Sequence, residues 1–119
     1  MRKKILKGAL AAIAVCALAS CTTSKSLYSW YDYEDATYQY SKKATPELYT
    51  RMMNEYVKVG TKQKGTRQAV PPGLNAEYGY QLCKEGKTDE GLKYLKKEIE
   101  MYPESEKYVS RIIKQIEKP

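Results

Sequence analysis

The sequence predicts a small all-α fold of about five helices, and three observations carry that prediction. Five stretches place apolar residues at the three- and four-residue spacing of a helix face. Thr, Ser, Pro and Gly stand in the gaps between them, where helices begin and end. No stretch reads as a convincing strand of alternating apolar and polar residues.

The first element is a leader. Arg2, Lys3, Lys4 and Lys7 make a positive start, and residues 9–19 follow as a short apolar run. A span of the hydrocarbon core needs about 20 apolar residues. Residues 1–20 therefore read as a removable secretory signal and not as a transmembrane helix. The run closes on Leu18, Ala19, Ser20 and Cys21. This resembles the bacterial lipobox: an aliphatic residue, two small residues and an obligatory cysteine. The resemblance implies cleavage between Ser20 and Cys21 and a diacylglycerol-derived group on the Cys21 thiol, with a further palmitate-like chain on the freed amine in many bacteria. Buried acyl carbon contributes about 0.8 kcal/mol per CH₂, so two or three chains hold a protein on a bilayer. Thr22 stands where an inner-membrane retention signal would place Asp, and no acidic cluster follows. By resemblance to those sorting rules, the expected address is the periplasmic face of the outer membrane.

Removing the leader leaves 99 of the 119 residues, enough for one small domain. Such a domain buries roughly 60–65% of its unfolded surface, so its core is thin. The formal charge of +7 drops as well: 17 basic residues then face 14 acidic ones. That balance gives no nucleic-acid signal. There is no His and no Phe; 12 Tyr and one Trp supply all the aromatic bulk. Without His the commonest general base and the commonest metal ligand are gone, so no catalytic residue, metal site or cofactor is expected. Cys16 leaves with the leader and Cys21 takes the lipid, so Cys83 has no intramolecular disulfide partner.

The mature chain opens on a polar tether to residue 29, whose eight residues after Cys21 reach at most about 28 Å. In residues 30–43, Trp30, Tyr33, Thr37 and Tyr40 sit at helical spacing, and a first helix is expected there. Thr45, Pro46 and Glu47 suit the start of a second helix as N-cap, first residue and first-turn acid. Its stripe is Leu48, Met52, Tyr56 and Val59, widened by Tyr49 and Met53, and Gly60 is its expected end.

Residues 60–73 read as a loop holding Lys62, Lys64 and Arg67 and no acid. Its basicity fits a contact for anionic headgroups or an acidic partner. It also fits a solvated loop beyond a helix C-terminus that favours cations, which is the preferred reading from sequence.

A third helix is expected over residues 74–85, with Asn75, Tyr78, Gly79 and Leu82 on one stripe, and Gly86 and Lys87 make a turn. Thr88 is the expected cap of a fourth helix, with Leu92, Leu95, Ile99 and Tyr102 as its stripe and Pro103 as its end. Ser105 is the expected cap of a fifth, apolar at Tyr108, Val109, Ile112, Ile113 and Ile116 and charged at Lys107, Arg111, Lys114 and Lys118.

Residues 72–103 resemble a tetratricopeptide unit when Pro103 takes the closing position. Tyr78 and Gly79 supply the large–small pair, with Leu82 one turn on; Gly91 and Leu95 match the second helix. Asn75, Leu82 and Gly91 depart from the usual aromatic, Tyr and Ala. One repeat cannot bury its own faces. Residues 104–118 are therefore expected to cap one side and the first two helices to cover the other. The usual geometry of such repeats would turn Ala76, Tyr80 and Cys83 toward those two helices, with Cys83 a small buried hydrophobe.

Cys21, the run Leu27, Tyr28, Ser29, Trp30, the Tyr-rich helix ending at Tyr40, the run Val70, Pro71, Pro72, Gly73, and Tyr102, Pro103, Glu104, Ser105 follow one another in a distinctive layout. That layout resembles a family of small bacterial lipoproteins catalogued as a domain of unknown function, DUF4810. The resemblance covers nearly all of the mature chain and implies no assigned activity. It does imply a place among envelope lipoproteins, because members tend to be encoded beside lipoproteins similar to the curli secretion-channel subunit.

The expected function is that of a membrane-anchored, non-catalytic helical adaptor or accessory subunit in a bacterial envelope assembly, partnered by another envelope protein or lipoprotein. Tyr28, Trp30 and Tyr31 are the candidate partner-binding residues, since Tyr and Trp anchor interfaces. Most other rings are expected in the core or at headgroup level. One alternative is a ligand- or glycan-binding lipoprotein that uses the Tyr/Trp cluster. Another is an envelope enzyme using Asp32, Glu34 and Asp35; it is disfavoured because no His and no nucleophile–base pair accompany them.

Overall fold

In a computed structural model, which describes residues 26–118, five helices run in chain order: α1 Tyr33–Lys42, α2 Pro46–Thr61, α3 Leu74–Lys84, α4 Thr88–Met101 and α5 Glu106–Glu117. A single 3₁₀ turn, Pro103–Ser105, joins the last two. No strand occurs among the described residues, so the protein is all-α as its periodicity predicts. The leader (residues 1–20), the lipobox and the lipidation site at Cys21 lie outside the described residues.

Helix α1 starts three residues later than its aromatic spacing suggests. Tyr31 takes a positive φ of 50°, and the Tyr33 N–H closes a turn on the Trp30 carbonyl at 3.0 Å. Trp30 and Tyr31 therefore precede the helix. Its buried residue is Ala36, which was not on the expected stripe, while Tyr33 and Tyr40 lean on α2.

Helix α2 begins as read: the Thr45 hydroxyl accepts the Leu48 N–H at 3.2 Å and Pro46 opens the first turn. It buries Met52, Tyr56 and Val59. Gly60 does not end it. The helix continues to Thr61, and Gly60 is a helical residue lying under Leu74, where an added Cβ would meet Leu74 Cδ2 at 3.6 Å.

The α3–α4 hairpin is closely packed, backbone against backbone. A Cβ on Gly79 would lie 2.6 Å from the Gly91 carbonyl oxygen, and one on Gly91 would lie 2.5 Å from that of Gly79. The connection ends α3 with paired bonds from Gly86 N–H to the Cys83 carbonyl and from Lys87 N–H to the Leu82 carbonyl, with Gly86 at φ +93°. This turn consumes Lys87 as the N-terminal flank, so Thr88 is the first helical residue and not a side-chain cap. Ser105 does not cap α5 either, because its hydroxyl donates back to the Tyr102 carbonyl at 2.7 Å inside the 3₁₀ turn.

Two cores result. Met52, Tyr56, Val59 and Leu74 form the first, with Tyr33, Tyr40, Tyr49, Met53, Val70 and Tyr78 around them. Leu95, Val109 and Ile113 form the second, surrounded by Ala76, Cys83, Leu92, Ile99, Ile112 and Ile116. Helix α3 lies between them, and its orientation corrects the repeat-based expectation. Leu74 and Tyr78, one turn apart, face α2; Ala76 and Cys83, on the opposite side of the helix, pack toward α4 and α5. Tyr80 is exposed. The large aromatic at 78 fills the gap to α2 that a small residue at 76 would leave open. Tyr108 also leaves its stripe and is 70% exposed, because Val109, Ile112, Ile113 and Ile116 already complete the buried face of α5.

Candidate functional site

The segment before α1 is fastened to the loop after α2. The Thr66 N–H donates to the Ser26 carbonyl at 3.1 Å and the Arg67 N–H to the Leu27 carbonyl at 3.2 Å. The Gln63 side chain brackets Ser29, accepting its N–H at 2.9 Å and donating to its carbonyl at 2.7 Å. The Lys64 N–H donates to the Ser29 hydroxyl at 3.0 Å, and the Tyr31 hydroxyl donates to the Lys62 carbonyl. Gly65 is buried in this seam: an added Cβ would lie 2.2 Å from the Leu27 carbonyl oxygen. Glycine is required there for close backbone approach.

The candidate binding residues sit on this seam and start a ladder of six rings. Tyr28 meets Trp30 edge-on at 6.4 Å between centroids, and Trp30 meets Tyr33 at 4.9 Å. Tyr33 meets Tyr56 at 5.8 Å, Tyr56 meets Tyr78 at 6.1 Å, and Tyr78 meets Tyr94 edge-on at 4.7 Å. These are the separations at which aromatic pairs attract. Trp30 keeps 38% of its surface exposed, and Tyr28 is half-buried. Tyr31 is exposed but engaged, with the Lys58 Nζ 4.5 Å above its ring.

Several hydroxyls on these rings reach polar partners on neighbouring elements. Tyr33 donates to Glu77 of α3, Tyr49 to Glu85 at 3.2 Å, and Tyr102 to the Val70 carbonyl. Burial first, and the nearby Glu77 carboxylate second, push the Tyr33 and Tyr56 phenols above their ordinary range. Burial and then the Glu85 charge push Tyr49 up to about 12. Burial and then the neighbouring Tyr28 hydroxyl push Tyr102 up to about 12. All these phenols therefore stay protonated and act as donors at neutral pH.

A second concave region, missed in the sequence, lies between α2 and the hairpin. Tyr49, Met53, Val57, Tyr78 and Leu82 line an open depression of about 290 Å³. A narrower extension reaches Gly60, Leu74, Tyr94 and Lys97. Val57 is 45% exposed here. Its signal was available: it is the apolar residue of α2 that falls off the core stripe.

The carboxylates weighed for catalysis line, with Tyr31 and Tyr38, an open depression of about 510 Å³. Asp35 is committed to an ion pair with Arg51 at 2.8 Å; that bond, then the Gln39 amide, holds its carboxyl below the usual range. Glu55 accepts the backbone N–H of Asp32 at 3.2 Å. Among the described residues, no group of three or more His, Cys, Asp and Glu side chains is placed to hold a metal ion. No helix among them is long and apolar enough to cross a membrane.

Glu98 of α4 is a carboxylate that the sequence did not single out. It is 1% exposed and reaches the start of α3, where its Oε1 accepts the Ala76 N–H at 3.2 Å. Oε2 has no partner among the described residues. Burial raises its pKa, while the Ala76 and Gly73 N–H groups pull the other way. It substitutes for the missing side-chain cap of α3, whose N-cap is Gly73. Cys83 is half-buried with its thiol pushed up by burial, as expected of a packing residue.

No curated protein and no solved structure matches the chain. A family model does match, over residues 27–112, a range that runs from the seam through the ring ladder and both cores into α5. By that match the chain belongs to the family described as Domain of unknown function (DUF4810).

Proposed function

We propose that the chain is a lipid-anchored envelope lipoprotein acting as a non-catalytic helical adaptor or accessory subunit. The observation that carries the reading is the seam. Residue 26 is already fastened to the folded domain, so only four residues, five chain steps, separate it from Cys21. At full extension they reach about 17 Å. An acylated Cys21 therefore holds this domain against its membrane rather than swinging it on a long stalk. The α2–hairpin depression around Val57 is the surface we assign to a partner. The absence of His supports the non-catalytic part of the reading.

The partner we favour is another envelope protein, first among them a lipoprotein similar to the curli secretion-channel subunit, at the periplasmic face of the outer membrane. A glycan-binding platform is the weaker reading: Trp30 already packs against Tyr28 and Tyr33, and such platforms need open ring faces.

Two measurements test this. Intact-mass analysis of the membrane-extracted protein should show fatty acid on Cys21, and Cys21→Ser should abolish it. Photo-crosslinkers placed at Val57 and at Asn54, both on that depression, should each capture an envelope protein in cells. An unacylated native protein would end the anchoring claim. Crosslinks absent from both positions in an acylated protein would end the adaptor claim.

A further inference from the structure

The seam also reopens the reading of the basic loop. From sequence alone, Lys62, Lys64 and Arg67 are better explained by a solvated loop beyond a helix C-terminus that favours cations. Position changes the balance. The loop is bonded, backbone to backbone, to residues 26 and 27, and by further bonds to Ser29 and Tyr31. Whatever holds Cys21 holds the loop's attachment at Ser26 within about 17 Å of the same place.

The loop carries no acid of its own. Residues 56–70 contain Lys58, Lys62, Lys64 and Arg67 and no acid. Among the described residues the one ion pair is Arg51–Asp35, so none of these four is paired. The acids beside the seam, Asp32, Glu34 and Asp35, line the neighbouring depression with Tyr31; Asp35 is paired with Arg51, and Glu55 accepts the Asp32 N–H. Exposed Leu27, Trp30 and Tyr31 stand along the same seam. Basic side chains beside exposed aromatic and aliphatic groups are what a headgroup region accommodates: charge for the phosphates, ring bodies for the interface.

We infer that this seam is a docking surface for an anionic lipid bilayer, with Lys62, Lys64 and Arg67 on the headgroup phosphates and Trp30 at the interface. The inference rests on the proposed lipid anchor and adds an orientation: the domain lies on the membrane by its seam instead of tumbling beneath its acyl chains. A mobile, solvated loop makes no such demand.

Trp30 is the sole tryptophan, which makes the test direct. The lipidated full chain is reconstituted into phosphatidylcholine vesicles and into vesicles enriched in phosphatidylglycerol, each carrying brominated lipid that quenches nearby indole. Each basic group near an anionic surface is worth roughly fivefold in partition, so the three together favour the docked state by roughly a hundredfold. Trp30 should be quenched more strongly in the anionic vesicles, and high salt should remove the difference.

The triple variant Lys62→Gln, Lys64→Gln, Arg67→Gln should also lose it. The seam bonds at these three positions use backbone atoms, so the fold is kept, as unchanged helical circular dichroism would verify. Should the variant unfold, the salt dependence of the wild type carries the same test. Flotation and fatty-acid mass are read on the same samples. A protein that floats but shows equal quenching in both vesicle types overturns the docking and spares the anchor. A protein that neither floats nor carries fatty acid overturns both.

Discussion

Gly91→Ala should destabilise this protein, although Ala is the usual residue at the matching position of a tetratricopeptide helix and a better helix former than Gly. In an open helix the exchange gains about 1 kcal/mol. Here the new Cβ would lie 2.4 Å from Cys83 Sγ, 2.5 Å from the Gly79 carbonyl oxygen and 2.9 Å from the Cys83 nitrogen. Carbon–oxygen contacts settle at roughly 3.3 Å or more, so α3 and α4 must part by most of an ångström. Two of the three obstacles are backbone and cannot swing aside. Overpacking of this kind costs about 1–3 kcal/mol, and the backbone obstacle places Gly91 at the upper end. After the helix-propensity gain, about 2 kcal/mol of net loss remains, which lowers the melting temperature of a domain this size by roughly 10 °C. Urea and thermal unfolding followed by circular dichroism measure it. Gly60→Ala is the internal control, because its Cβ would meet only Leu74 Cδ2 at an ordinary 3.6 Å. That variant should be neutral or more stable by up to about 1 kcal/mol. If Gly91→Ala were as stable as the wild type, or if the two variants shifted in the same direction, the close approach of α3 and α4 would be refuted.

Three other outcomes follow from individual side chains. Because Glu98 has its pKa raised in the fold, the native state holds a proton that the unfolded chain has already released, so wild-type stability falls as pH rises through and just above the ordinary carboxylate range; Glu98→Gln should remove that slope in urea midpoints taken across the window, and an identical slope in both proteins would refute the assignment. Tyr33→Phe removes the bond to Glu77 and should cost about 1 kcal/mol, whereas Tyr49→Phe, whose hydroxyl is less deeply buried beside Glu85, should cost less in the same urea titration. The Cys83 thiol, half-buried and pushed up, should alkylate roughly tenfold or more slowly in the folded protein than in urea, and equal rates would place it on an open surface.

The helices were legible because their buried residues obey a period close to 3.6. Met52, Tyr56 and Val59, and again Val109 and Ile113, are interior as their spacing requires. The start of α1 was not legible. Trp30 continues the spacing of Tyr33, Thr37 and Tyr40, yet bonds from Gln63, 34 residues away, hold Ser29 outside the helix. Periodicity is a local signal and cannot register such a bond. The orientation of α3 failed for a related reason: Leu74, Tyr78, Ala76 and Cys83 define two usable faces, and only the packed volumes decide which one meets α2. Glu98 was invisible because a charged residue in a helix ordinarily reads as solvated, and its burial depends on a helix end 22 residues back in the chain. Within the candidate site, Trp30 and Tyr31 were nominated from residue type, while the attachment of the basic loop to residues 26–31 depends on bonds that no local pattern signals.

The absence of Phe has a structural consequence that connects these regions. A Phe can enter a core in any direction, but a Tyr must leave its hydroxyl where a partner or water can reach it. Tyr31, Tyr33, Tyr49 and Tyr102 each do so by donating to a group on another element: Lys62, Glu77, Glu85 and Val70. Each ring is thereby fixed at both ends, by apolar contact along its body and by a hydrogen bond at its tip. Linked through Tyr28, Trp30, Tyr33, Tyr56, Tyr78 and Tyr94, such rings run without a break from the seam to α4. The segment nearest the proposed anchor is thus packed onto the core through its rings and is not a free appendage. If the seam is fixed on a membrane, the same packing fixes the depression around Val57, because Tyr78 belongs both to the ladder and to that depression's wall. Orientation at the lipid surface then becomes orientation of the partner-facing surface, with no hinge required between them.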